Sequence, residues 1–152
     1  MVPARIERDI LIEAPVDIVW AVVTEPEHIS RWFSESADLD LRPGGRAALH
    51  WEAYGTVQGR VERVEPPHFF SFRWVVDPGT DLTEDNSTLV EFSLSAEGNA
   101  TRLTVVESGF RDLARPDDEK QGHVDSHRRG WELELGELRE YVGRGVRAPA
   151  DR

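Results

Sequence analysis

The stretch from about His123 to Val142, HVDSHRRGWELELGELREYV, constrains this chain more than any other. At about 100° per residue, Val124, His127, Trp131, Leu135, Leu138 and Val142 fall in one stripe, while Glu132, Glu137, Arg139 and Glu140 lie outside it. The spacing predicts one amphipathic helix with a wide ring in mid-stripe. A lone helix cannot bury such a stripe, and the chain between about Asp38 and Phe110 reads as strand, so the apolar face is expected to lie on a sheet.

The preceding segments supply that sheet. Arg5 to Ile12 reads as an opening strand. Val16 to Thr24 has helical spacing after Pro15, with Asp17 in its first turn, and Glu25-Pro26 separates it from a second short helix over PEHISRWF. From Asp38 the period changes to two. ADLDL, RAALHWEAY, GTVQGRVERV, FFSFRWVV, TLVEFSLS and ATRLTVVESGF are six strands joined by turn chemistry such as Pro43-Gly44-Gly45 and Glu97-Gly98-Asn99, which implies an antiparallel meander. The acidic run DPGTDLTEDNS reads as a mobile loop, and the start of the long helix falls between Asp117 and Ser126, with Gly122 expected to interrupt it. Residues 1–145 are expected to form a single domain, and 146–152 a disordered tail.

Charge and composition narrow the partners. A formal net charge of -11 in 152 residues repels phosphate backbones and anionic headgroups, so neither nucleic acid nor a membrane surface is expected. The absence of cysteine removes disulfides, thiol nucleophiles and thiolate metal sites, which suits a cytoplasmic location. No apolar run approaches the roughly 20 residues of a spanning helix.

The motifs APVDIVWAVVTEPEHISRWF, LRPGGRAALHW, GTVQGRVERVEPPHFFSFRW, TVVESGF and GWELELGELREYV cover nearly the whole chain. In this order they resemble the helix-grip fold of the START-like, or SRPBCC, superfamily, and within it the activator of heat-shock-protein-90 ATPase homologue family. The resemblance implies an α+β fold: a curved antiparallel sheet of about seven strands, two short helices after the first strand, and a long C-terminal helix across the sheet over a cavity. It also implies a binder of small apolar molecules, with a cyclase or dehydratase as the enzymatic alternative and a chaperone as a further candidate partner.

The residues themselves suggest where a ligand would sit. In FFSFRWVV, Phe70, Phe72, Trp74 and Val76 face one side and Phe69, Ser71, Arg73 and Val75 the other. Rings on the inner side would either fill the core or line a site. Polar groups on apolar faces say more, because burying them is unfavourable unless they are paired. Leu103, Val105 and Glu107 share one face of the last strand, Arg73 shares a strand with the rings and could meet Glu107, and His127 stands one turn before Trp131. Phe72, Arg73, Trp74, Glu107, His127 and Trp131 are thus the candidate ligand-binding residues. A binding module without cofactor is favoured over an enzyme; were it an enzyme, Glu107 or His127 would be the acid or base. Glu119, His123 and His127 have ligand spacing but lack an HExxH pattern, so no metal is expected. The sequence does not separate monomer from homodimer.

Overall fold

The computed structural model describes residues 2–145, so the tail predicted over 146–152 lies outside the described residues. Its elements follow the predicted order: β1 (Arg5–Ile12), α1 (Val16–Thr24), α2 (Pro26–Trp32), β2 (Ser36–Leu39), β3 (Arg46–Trp51), β4 (Gly55–Glu65), β5 (Phe69–Val75), β6 (Ser87–Glu97), β7 (Ala100–Ser108) and α3 (Asp117–Gly143). One seven-stranded antiparallel sheet has the order β1-β7-β6-β5-β4-β3-β2, a meander closed by the first strand against the last. Two features help the sheet bend. The β4–β5 register shifts between Val61 and Arg63, and Gly59 lies so close to β5 that a Cβ there would stand 2.6 Å from the Arg73 carbonyl oxygen.

The concave face carries the core. Val61 on β4, Phe70, Phe72 and Trp74 on β5, Val90 and Phe92 on β6, and Leu103, Val105 and Glu107 on β7 are all buried. Facing them, α3 buries Val124, Trp131, Leu135, Leu138 and Val142, the stripe read from the sequence. The short helices are tied in by polar contacts: Trp32 Nε1 donates to the Val22 carbonyl at 2.9 Å, and His28 Nδ1 meets the Tyr141 hydroxyl on α3 at 2.7 Å.

Two local expectations are corrected, and the loop after β5 shows contacts of its own. Gly122 does not interrupt the long helix, which starts at Asp117 behind Pro116 with Asp117, Asp118 and Glu119 in its first turn, where carboxylates favour the exposed backbone amides. Phe110–Asp112 forms a 3-10 turn, entered through Gly109 at a φ of 100°. In the acidic loop after β5 the Asn86 side chain bonds the backbone of Asp81 (2.7 Å) and Thr83 (2.8 Å), Gly79 N–H donates to the Thr56 carbonyl, and Asp77 is ion-paired with Arg115.

Candidate functional site: a buried carboxylate behind an aromatic cavity

Glu107 is fully buried, yet both its oxygens are occupied. Oε2 accepts from Trp74 Nε1 (2.9 Å), Thr88 Oγ1 (2.5 Å) and His127 Nδ1 (2.8 Å), and Oε1 accepts from Trp131 Nε1 (2.8 Å). The register explains the convergence. Trp74 and Thr88 are partners across β5 and β6, Glu107 comes from the adjoining β7, and His127 and Trp131 sit one turn apart on α3. Burial by itself raises the Glu107 pKa; the charge of His127 and the hydrogen bonds from His127, Thr88 and Trp74 outweigh it and hold the carboxylate below its usual range. Burial likewise lowers His127, but the Glu107 charge and hydrogen bond hold the imidazole above its usual range. Both shifts favour the charged pair, imidazolium on carboxylate, and the contact joins helix to sheet.

In front of this network is a cavity of about 410 Å³ under one flank of α3. Its walls are four rings. Phe33 stacks on Trp74 (5.8 Å between centroids) and on Trp131 (5.5 Å), and Trp51 meets Phe33 edge-on at 5.2 Å. Every indole N–H in the group has a protein acceptor: Trp51 donates to the Phe33 carbonyl at 2.8 Å, and Trp74 and Trp131 donate to Glu107. The rings are thereby fixed, and what they offer the cavity is apolar surface. The α3 wall runs through His123, Ser126, His127, Gly130 and Glu134, and Tyr54 (73% exposed) and Leu133 (62% exposed) stand at the rim.

The polar groups on this wall differ in charge. Glu107 takes Nδ1 of His127, which leaves Nε2 for the cavity. His123, whose ring centroid is 6.2 Å from that of His127, is lowered by burial and then by the charges of His127 and Arg115. Glu134 is raised to about 8 by burial, with Glu137 and Glu35 adding to the shift.

The six residues expected at the site separate into three groups. Trp74, His127 and Trp131 are on the cavity wall and bonded to Glu107, which lies behind them and does not reach the cavity surface. Phe72 faces a second void of about 20 Å³ deeper in the core. Arg73 is a correction: it does not meet Glu107, because alternation along β5 turns it to the opposite face, where it lies 3.2 Å from Ser87 Oγ and 3.8 Å from Glu62. Phe33, Trp51 and Glu134 were not anticipated. Glu134 could have been found, since residues 123, 126, 127, 130 and 134 repeat at helical spacing as a face of small and polar residues beside the apolar stripe.

A curved antiparallel sheet gripping a long C-terminal helix over a ring-lined cavity defines a helix-grip protein of the SRPBCC kind, a fold compatible with ligand binding or cyclase-like chemistry. The chain belongs to the activator of Hsp90 ATPase homolog 1-like protein family, whose profile it matches over residues 13–143. It is similar to CalU16 of Micromonospora echinospora, with 30% identity and a TM-score of 0.69 over 91% of this chain and 75% of that one. A Bacillus halodurans protein is 29% identical, with a TM-score of 0.73 over 93% of this chain and 99% of the other. DynU16, from the dynemicin biosynthetic locus, is 26% identical with a TM-score of 0.76; 95% of this chain is covered, and it spans about half (49%) of DynU16. No curated protein matches the chain. Among the described residues no helix is long and apolar enough to cross a membrane.

Proposed function

We propose that the protein binds a small, flat, largely apolar ligand in the cavity between sheet and α3, with Trp74 and Trp131 in contact with the ligand and His127 orienting it. The observation that carries this reading is the state of the rings: a space of about 410 Å³ is walled by tryptophans whose indole N–H groups already have acceptors in the protein. Small-molecule sites have such volumes and linings, and pre-formed walls lower the entropy lost on binding. Membership of DynU16 in a biosynthetic locus agrees with a small-molecule role.

The test uses a neutral fluorescent probe, N-phenyl-1-naphthylamine, and a variant that fills the space. A Cβ on Gly130 meets nothing within 4 Å, so Gly130→Leu projects into the cavity without disturbing the Glu107 network. Probe binding should be lost in that variant while the fold persists. Equal binding by wild type and variant would place the ligand elsewhere.

A cyclase or dehydratase is the second reading, supported by the His127–Glu107 pair. An imidazolium held by a buried carboxylate and lining a cavity is placed to donate from Nε2 to a ligand carbonyl while water takes the α-proton, giving the enol, from which a β-hydroxyl can leave as water. Glu107 would then be a positioning residue. In D2O, wild type but not His127→Gln should speed exchange of the α-protons of acetonaphthone, followed by NMR. Exchange no faster than in buffer would rule this reading out.

A further inference from the structure

Glu134 takes no part in the Glu107 network. Its Oε2 is buried with no hydrogen-bond partner, and the residue lines the same cavity. It lies seven residues after His127 on α3. Seven residues are close to two turns, so both side chains leave one side of the helix about 10 Å apart. Gly130 and the Trp131 ring occupy the wall between them. The cavity therefore has a polar residue at each end of an apolar span, the His127 imidazole at one and the Glu134 carboxyl group at the other.

A buried acceptor without a donor is unfavourable, and a ligand that draws the Glu134 carboxyl toward the cavity and brings the donor removes that penalty. The surroundings set the donor's charge. The groups acting on Glu134 are Glu137 from its own helix and Glu35 from the turn after α2, both acidic, and the chain as a whole carries -11. Phe33, Trp51 and Trp131 line the cavity, and aromatic rings attract cations. We infer that the cavity selects an elongated aromatic amine, with its rings among the tryptophans, its ammonium on Glu134 and a hydrogen-bond acceptor about 10 Å away at His127. This rests on the cavity-binding reading and narrows it to a ligand class. With no cation beside it, Glu134 is largely protonated at neutral pH, since burial and its acidic neighbours raise it to about 8. An ammonium favours the carboxylate, so binding should release a proton.

Dansylcadaverine tests this directly, because it carries an aromatic body, sulfonyl acceptors and a terminal ammonium; its terminal-alcohol analogue has the same shape without the charge. Wild type should bind the amine at least roughly tenfold more tightly than the alcohol. The amine's affinity should rise with pH up to about 8. Glu134→Gln should abolish the preference. Glu137→Gln, which relieves repulsion and keeps the acceptor, should preserve it and move the pH midpoint downward. Equal affinity for the two probes, a preference that survives Glu134→Gln, or a pH-independent affinity would each overturn the inference while leaving the cavity reading intact. Failure of both probes and of the neutral naphthylamine to bind would overturn both.

Discussion

Glu107 and Glu134 are both glutamates partly or wholly removed from water, and the structure treats them oppositely. Glu107, 0% exposed, is held below the ordinary carboxylate range, whereas Glu134, less deeply buried, is raised to about 8. Depth of burial would predict the reverse order. The difference is in partners: four side chains donate to Glu107, and the buried Oε2 of Glu134 has none. Desolvation disfavours a charge, but donors and a counter-ion fixed in place can exceed it. One glutamate is a structural anion that holds the helix on the sheet. The other is an acid on the cavity wall, one of whose oxygens is buried without a donor.

Removing the satisfied glutamate is the severest way to break this comparison. Glu107→Ala leaves two indole N–H groups, a threonine hydroxyl and an imidazolium facing an apolar gap. Truncating one partner of a buried ion pair typically destabilises by about 3–5 kcal/mol, and a loss of that size is expected in urea unfolding. A loss under about 1 kcal/mol would mean that the network adds little to stability.

A smaller change removes one donor only. Trp131→Phe keeps a ring against Phe33 but deletes the hydrogen bond to Glu107 Oε1, the sole contact that oxygen makes in the network. About 1–3 kcal/mol should be lost, the range for leaving a buried acceptor unpaired. The carboxyl resonance of Glu107 should also titrate at higher pH than in wild type. An unchanged titration would show that the other three donors suffice to fix its charge.

Much of this arrangement was legible in the chain. Period two along TRLTVVES put Glu107 on the inner face with Leu103 and Val105, and period 3.6 put His127 and Trp131 on one helical stripe. Patterning could therefore suggest that these groups meet, but it could not say whether Glu107 would reach the cavity or be covered by two indoles. The same alternation separates Arg73 from Trp74, so pairing Arg73 with Glu107 conflicted with the period itself. Phe33 and Trp51 carry no periodic signal, because each reaches the cavity from the end of an element, just past α2 and at the last residue of β3. Glu134 was legible only through its neighbours. An acidic residue beside an apolar stripe reads as solvated, and only the small Ser126 and Gly130 on the same face open the space it borders.

A last test separates the two glutamates by pH alone, without the loss of a buried group. Glu134 has a folded pKa of about 8, above its ordinary 4.5, so at intermediate pH the folded state holds a proton that the unfolded state has lost. Stability should accordingly fall as pH rises from about 4.5 to about 8, then level off once both states are ionised. His127 is also raised, so its contribution is complete below its ordinary 6.5 and is lost as pH rises through its folded value. Glu107 is lowered, and its contribution is complete above its ordinary 4.5. Between about 4.5 and 6.5 the decline therefore belongs to Glu134, and the part that persists above 6.5 in Glu134→Gln belongs to His127. Urea midpoints should fall across the lower window in wild type, whereas in Glu134→Gln they should not fall, the lowered His123 adding stability as pH rises toward 6.5. A parallel fall in both proteins would mean that Glu134 is ionised like an exposed carboxylate, and the contrast with Glu107 would then be one of burial only.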